Sequence, residues 1–406
     1  MEQSSFDVVI AGGGLSGCLM ALSIADLSHQ DGTPISIAII EANPILQDAS
    51  KTFDDRVLAL SHGTAAYLEQ VSAWQTLKDD AEAIKSIHIS DRGHYGKARI
   101  DAEKHNVSAL GYVVEMALIG KSLLKALKDK TNITWFAPNT IAEIHWHQSL
   151  VEISLDSGKI LNSQLLLACD GGMSVCRQKA NIEIDKRDYQ QSALIANVSM
   201  KLPHQNIAYE RFTETGPIAM LPLSEMSTGH KGNSHRCSLV WTLTPELAAA
   251  AKSLDDQAFK LALEDAFGSW LGEVEQVGKR DVYPLVLVKA QEQVFHRMAL
   301  IGNASHTIHP IAGQGFNLGV RDVAFMSEQI SLAIKNNTDL GDFAMLNQYA
   351  QQRQKDHKQV ISLTDSLVTL FSNELPPLIA GRNIGLKVLN YVPALKNALV
   401  NKTMGY

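Results

Sequence analysis

The sequence predicts an α/β protein: a Rossmann-like nucleotide-binding domain, an inserted mostly β domain, and a helical C-terminal region. Three observations carry this. A compact apolar strand runs into Gly12-x-Gly14-x-x-Gly17 near the start of the chain. A second glycine-rich joint, Ile301 to Gly319, follows the apolar run Met298 to Ile301 and precedes a helical pattern. Between them, residues 182–288 change texture to short alternating strand-like pieces. Two strand-to-helix glycine joints so far apart suggest one large ligand held at both ends.

The elements follow in order. Phe6 to Ile10 is a strand, Cys18 to Leu27 a helix, and Ile35 to Ile40 an apolar β-branched strand ending at Glu41, a β-α-β unit of the expected length. Helical spacing returns over Gly63 to Leu77, and Ile84 to Asp91 alternates like a half-buried strand. Ile119 to Lys130 reads as an amphipathic helix, followed by strands at Asn132 to Phe136, Glu143 to His147 and Val151 to Leu155. Leu161 to Ala168 is a strongly apolar strand that stops at Asp170-Gly-Gly172. Strand-like pieces then fall at Leu194 to Met200, Ile207 to Phe212, Ile218 to Leu221 and Arg236 to Thr242, with one helical piece, Asp256 to Leu271. Helices are expected at Val320 to Asn336, Asp342 to Asp356 and Ile361 to Phe371, before Pro376-Pro377 breaks the run.

The expected division is a nucleotide-binding domain in three segments (1–80, 103–181 and 289–345), substrate-domain strands at 81–102, a β-sheet substrate domain at 182–288, and a C-terminal helical region at 346–406. At 406 residues, with 45% hydrophobic and 19% charged residues, the chain is globular with a large core. Its net charge is -7 and no basic block stands out, which argues against nucleic acid as a partner. The cysteines Cys18, Cys169, Cys176 and Cys237 form no CxxC pair, so neither zinc nor a disulfide framework is indicated and a reducing cytoplasm fits. His88, His94, His145 and His147 have no ligand spacing, and no metal is expected. No signal peptide and no uncharged run of eighteen apolar residues is seen.

Gly12 allows the tight turn, Gly14 lets a pyrophosphate approach the backbone, and Gly17 allows close helix–strand packing. The helix N-terminus favours the phosphates, and Glu41 can accept hydrogen bonds from the ribose. A carboxylate there disfavours a 2'-phosphate, but the choice between FAD and NAD stays open at this point.

Two further motifs bear on that choice. Asp170-Gly171-Gly-Met-Ser174-Val-Cys-Arg177 is a D-G-x-x-S-x-x-R string, and Gly302-Asn303-Ala304-Ser-His-x-x-His309-Pro310 continues into Ala312-Gly313-Gln-Gly315-Phe316-Asn317. With the first motif, they resemble the FAD-dependent aromatic monooxygenases of the para-hydroxybenzoate hydroxylase type over nearly the full length. The usual residue at position 303 in that family is Asp; Asn keeps an acceptor but no charge. Asn at this position is similar to a ubiquinone-pathway branch of the family. So are Ser90-Asp-Arg-Gly-His94, Glu210-Arg-Phe-Thr213, Gly216-Pro-Ile-Ala-Met-Leu-Pro222, Arg236-Cys-Ser-Leu-Val-Trp241, Thr364-Asp-Ser-Leu-Val368 and Gly381-Arg-Asn-Ile-Gly-Leu386.

The resemblance implies FAD as cofactor and NAD(P)H as reductant. The ring of a polyprenylated methoxyphenol would be hydroxylated to the 1,4-benzoquinol through a flavin C4a-hydroperoxide. It implies cofactor roles for Gly12, Gly14, Gly17, Glu41, Arg56, Asp170, Gly171, Asn303, Pro310, Gly313, Gly315, Phe316 and Asn317. The backbone of Gly315 to Asn317 would run beside the isoalloxazine, and His309 is the candidate for proton handling. Arg177 reads equally as structural or nicotinamide-linked. Tyr209, Phe212, Met220 and Pro222 are candidates to line the substrate cavity. Leu378 to Val400, apolar with Arg382, Lys387 and Lys396, could rest on the inner face of a bacterial plasma membrane, cover a tail channel or meet another protein of the ubiquinone pathway. Alternatives are a hydroxylase of another ring position, a flavin oxidoreductase that never hydroxylates, and a non-enzymatic FAD-binding scaffold.

Overall fold

The structure is a computed structural model, and it describes residues 3–45, 56–93, 97–225, 234–308 and 314–371. The expected segment Leu378 to Val400, with His309, Pro310 and Gly313, lies outside the described residues.

Among the described residues, one eight-stranded sheet holds the nucleotide-binding half. Five of its strands are parallel neighbours, in the spatial order Met298–Leu300, Ile160–Ala168, Gln3–Ala11, Ile37–Ile40 and Ile133–Phe136. Their apolar, β-branched composition suits a sheet buried on both faces. Helices Leu15–Ile24, Met116–Leu127 and Gln314–Lys335 pack on one face, with Ile10, Leu19, Ile39, Leu167 and Val323 fully buried between them. The other face buries Val9, Leu161, Leu166 and Cys176.

The C-terminal ends of these strands lie level. Ala11 is in register with Ile40 on one side and with Ala168 on the other, and Ala168 is in register with Leu300. Each strand therefore delivers its loop to the same edge: Gly12 to Gly17, Glu41, Asp170 to Gly172, and Gly302 to Ala304. In open parallel sheets this edge is where ligands bind.

A nine-stranded, mostly antiparallel sheet forms the other half, running from His306–Thr307 through Asp281–Ala290, Ile184–Met200, Arg236–Leu243, Gly216–Pro222 and Ile207–Thr213 to Ser86–Asp91 and Lys97–Asp101. Helices Pro245–Ser253 and Asp256–Phe267 cover one face. The other face meets a three-stranded sheet of Val57–Ser61, Gly111–Glu115 and Glu82–Ile84 across an apolar cluster that includes Ala208, Leu221, Leu223, Val57 and Val113. His306–Thr307 pairs with Val288 and Lys289, so the chain leaving the 302–304 turn is hydrogen-bonded into the large sheet.

Several element bounds differ from the sequence expectation. The strand expected from Leu194 starts at Ile184, because its exposed polar first half is held by pairing with Asp281–Ala290. The helical piece expected over 256–271 is one helix, Asp256–Phe267, and a short turn, Ser269–Leu271, since Gly268 takes φ 88° and ends the helix; a further helix, Pro245–Ser253, precedes it. The helices expected at 342–356 and 361–371 are one, Phe343–Phe371, because no breaker separates them. No described helix is long and apolar enough to cross a membrane.

Candidate active site

The three glycines of the first motif occupy different environments. Gly12 has φ 95°, and a Cβ there would stand 2.6 Å from the Cys169 carbonyl oxygen. A Cβ on Gly17 would stand 1.8 Å from the carbonyl oxygen of Gly12. These two let the helix close onto the strand. Gly14 is the opposite case, because nothing lies within 4 Å of a Cβ built on it. It is the N-cap of helix Leu15–Ile24, which has no side-chain cap and no acid in its first turn. Unsatisfied amides facing open space form an anion site.

Glu41 is fixed beside this turn. Its Oε2 accepts from the Gly13 amide at 2.8 Å, and its Oε1 accepts from the amide and side chain of Asn43 at 2.9 and 3.0 Å. Lone pairs remain for further donors. Asp170 Oδ2 accepts from the Cys176 amide at 3.0 Å, while its Oδ1 is buried with no partner among the described residues. An open glycine, an uncapped helix start and an orphaned carboxylate oxygen at one sheet edge fit a dinucleotide with hydroxyl donors. The cysteines here are structural: the Cys18 thiol donates to the Gly13 carbonyl at 3.1 Å, and burial pushes its pKa to about 12.

Arg177 resolves as a structural residue. Its guanidinium donates to the carbonyls of Ala304 at 2.7 Å and Gly172 at 2.8 Å, tying the second and third motif loops together. Asn303 is exposed on the 302–304 turn, whose first glycine has φ 60° and packs against Ser16 and Gly319.

Behind that turn lies a buried ionic network. Asp322 Oδ2 accepts from the Gly302 amide at 3.0 Å, and its Oδ1 accepts from Arg353 Nε at 2.6 Å and meets His357 Nε2 at 2.9 Å. Burial alone would raise the Asp322 carboxyl, but the charges of His357 and Arg353 and the His357 hydrogen bond outweigh it and hold the carboxyl far below its ordinary range. His306, also fully buried, has no hydrogen-bond partner for either ring nitrogen among the described residues, though its Nδ1 lies 3.7 Å from Asp322 Oδ2, and burial lowers its pKa to about 3. His306, Asp322 and His357 are residue types that bind metals. Here the Arg353 guanidinium already occupies the carboxylate and Arg321 stands nearby, so a divalent cation would face two positive charges. The network's visible work is to hold the Gly302 turn.

The helix after the third motif begins at Gln314, earlier than expected. Phe316 is half-buried against the main core. The Asn317 side chain is not free to meet a ligand: its Oδ1 accepts from the Ser61 amide at 2.8 Å and its Nδ2 donates to the Ala59 carbonyl at 2.9 Å. Only its backbone can serve a flavin. Asn317→Ala is expected to cost about 1–3 kcal/mol through the two buried backbone partners it would orphan, measurable by urea unfolding. The Arg56 guanidinium lies over the Tyr283 ring at 5.3 Å, spanning strand Val57–Ser61 and the large sheet.

The four expected cavity residues separate by strand parity. Tyr209 and Met220 are cross-strand partners on the helix-covered face, Tyr209 against Phe267 and Trp270, and Met220 fully buried. Pro222, two residues beyond Met220, shares that face. All three lie on the helix-packed face of the sheet, opposite the face of Ala208. Phe212 points the other way and is buried.

Sequence reasoning passed over Glu210, which sits on the Phe212 side of the same strand. Its carboxylate has no hydrogen bond or ion pair among the described residues. The side chain is partly accessible, yet burial raises its pKa to about 7. Its strand neighbours on the same face, Ala208 and Phe212, are buried and offer its carboxylate no side-chain donor. An acid between apolar neighbours at the same-face positions 208 and 212 was the available signal.

The FAD binding domain family matches residues 5–364. The chain is 32% identical over 404 residues to "Ubiquinone hydroxylase UbiL" of Rhodospirillum rubrum, covering 98% of this chain and 89% of that one. It is 31% identical over 445 residues to "Ubiquinone biosynthesis monooxygenase COQ6, mitochondrial" of Homo sapiens, covering 97% and 92%. Among solved structures it resembles p-nitrophenol 4-monooxygenase PnpA of Pseudomonas putida, with TM-score 0.79 and 17% identity over 100% and 99% of the two chains. It also resembles OxyS anhydrotetracycline hydroxylase of Streptomyces rimosus, with TM-score 0.71 and 19% identity over 98% and 76%. These two likenesses show the fold, an FAD-binding α/β domain of the para-hydroxybenzoate hydroxylase type joined to a β-sheet domain. With the family match and the hydroxylase relatives, the chain belongs to the FAD binding domain family and is an FAD-dependent monooxygenase.

Proposed function

We propose that this protein hydroxylates the ring of a polyprenylated methoxyphenol in ubiquinone synthesis, using NAD(P)H and O2. The reaction converts 2-polyprenyl-6-methoxyphenol to the 1,4-benzoquinol, as 2-octaprenyl-6-methoxyphenol hydroxylase does. The observation that carries this reading is the match over 97–98% of the chain to relatives named as a ubiquinone hydroxylase and a ubiquinone biosynthesis monooxygenase.

Bound FAD supplies the redox chemistry, accepting hydride and activating O2. This chain's residues hold and orient it. Gly14 and the amides that follow take the pyrophosphate, Glu41 the adenosine ribose, Asp170 and Gly171 the linker, and Asn303 the ribityl hydroxyls. The backbone of Gly315 to Asn317 would hold the isoalloxazine, with Pro310 and Gly313 serving the same group; amides at a helix start would favour developing negative charge. Arg56 lies near the flavin edge, and His309 handles a proton there. Phe212 helps to keep the cavity dry, which limits loss of activated oxygen as hydrogen peroxide. In this reading, segments 1–80, 103–181 and 289–345 hold FAD, while 81–102 and 182–288 face the substrate. The helical region from 346 guides the apolar tail, with peripheral contact to a membrane or to other proteins of the pathway.

The test is turnover of 2-prenyl-6-methoxyphenol with NAD(P)H, with the product identified by NMR. A new hydroxyl para to the existing one is the expected result. Hydroxylation elsewhere would move the enzyme to another step of the pathway, a second reading that the relatives' names, which state pathway and not position, equally support.

A further inference from the structure

We propose that Glu210 is the group that accepts the proton of the substrate's phenolic hydroxyl. The inference rests on the aromatic-hydroxylation reading above.

Strand Ile207–Thr213 alternates, so Tyr209 faces the helices while Ala208, Glu210 and Phe212 face the other way. Across the sheet, Glu210 is flanked by Ala219 on one side and Ile89 on the other, neither of which offers a hydrogen bond from its side chain. Ala208, Leu221 and Leu223 on this face pack against Val57 and Val113 of the three-stranded sheet. Strand Val57–Ser61 in turn holds the Asn317 side chain, donating from the Ser61 amide and accepting at the Ala59 carbonyl; Asn317 ends the third flavin motif. Glu210 therefore stands on the sheet face that packs against the three-stranded sheet to which Asn317 is hydrogen-bonded.

The charged groups on the elements packed against this face have other partners. Glu115 pairs with Arg236 at 3.2 Å, Arg56 lies over Tyr283, and Glu82 accepts from the Asn206 side chain. None of them is a cause of the Glu210 shift, which is due to burial alone. A lone carboxylate in an apolar wall is costly unless something brings it a donor. A phenol whose tail prefers apolar surroundings is such a donor. A carboxyl poised near neutrality is suited to general-base work.

The step balances. The phenol O–H bond breaks, the proton moves to a Glu210 oxygen, and the bonding pair stays on the phenol oxygen and enriches the ortho and para ring carbons. One atom of O2 is inserted at the ring and the other leaves as water, with NAD(P)H as the two-electron reductant. The hydrogen displaced from the ring carbon leaves as a proton, and Glu210 returns its own proton to the phenol oxygen.

The test compares wild-type holoenzyme with E210Q and E210D on 2-prenyl-6-methoxyphenol. Because the carboxylate must be ionised to act, wild-type hydroxylation should rise with pH through a limb near 7. E210Q should keep its flavin absorbance and substrate-stimulated NAD(P)H oxidation. It should lose the limb and about 100-fold or more of hydroxylation rate, with NAD(P)H diverted to hydrogen peroxide. E210D should restore part of the rate with a shifted limb, and it decides the matter if E210Q does not retain FAD. A wild-type rate and limb in E210Q, or in a neutral variant at large, would overturn the role of Glu210 while leaving the function intact. No hydroxylation by wild type would instead overturn the function it rests on.

Discussion

Gly17→Ala is expected to prevent stable folding of the nucleotide-binding half, whereas Gly14→Ala is expected to leave folding intact and weaken FAD binding. The new methyl at position 17 would stand 1.8 Å from the Gly12 carbonyl oxygen, a backbone atom that cannot swing aside. Relieving it means lifting the first helix off the sheet, at the upper end of the usual overpacking cost of about 1–3 kcal/mol or beyond it. Position 14 has φ -71° and ψ -169°, ordinary for any residue, with nothing within 4 Å of the added carbon. The apoprotein should hold its stability within about 0.5 kcal/mol. The methyl would stand where a pyrophosphate must come closest, so FAD affinity should fall about tenfold or more, roughly 1.4 kcal/mol. Thermal unfolding of the apoproteins with FAD titration separates the two effects. Equal loss of stability in both variants would show that Gly14 is a packing residue like its neighbour.

The second large effect is expected at Asp322. Asp322→Ala removes the acceptor shared by Arg353, His357 and the Gly302 amide, all buried. Breaking a buried ion pair from one side costs about 3–5 kcal/mol because the partner charge is stranded. Arg353 keeps Asp356 at 2.7 Å, which places the expectation at the lower end of that range. The freed Gly302 turn should also lower FAD occupancy. Asp322→Asn, which keeps an acceptor for Gly302, should bind FAD better than the alanine variant. The pH dependence has a definite sign. The Asp322 carboxyl is depressed in the folded state, so its contribution is complete above the unfolded value of about 4. It erodes as pH falls through the lower folded value. Urea unfolding at pH 7 and in acid checks this: the stability gap between wild type and Asp322→Asn should narrow below about pH 4.

The parts of the fold set by backbone demands could be read from the sequence. Gly12 and Gly17 are needed because carbonyl oxygens lie where a side chain would go, and the apolar strands before them are buried on both faces. Asp170 and Gly302 could be placed for the same reason, each following an apolar strand. What could not be read depends on which face of an element meets which neighbour. Tyr209, Phe212 and Met220 all look alike in sequence, because both faces of their sheet are apolar; only the packed helices put Tyr209 and Met220 on one face and Phe212 on the other. Arg177 reads equally as structural or nicotinamide-linked in sequence, because only adjacent parallel strands bring its two carbonyl partners, at 172 and 304, together. Asp322 lies on one helix and Arg353 and His357 on the next, and buried charges that neutralise one another carry no periodic signal. Glu210 escaped notice because one acid in a strand ordinarily faces water.

The most direct test of the account is single turnover of the NAD(P)H-reduced holoenzyme with 2-prenyl-6-methoxyphenol under isotopically labelled O2. The account predicts one labelled oxygen atom in the product, in its new ring hydroxyl, with NAD(P)H consumed in equal amount. An oxidised product without label, or reduced flavin returning its electrons only to hydrogen peroxide while the phenol is recovered unchanged, would contradict it.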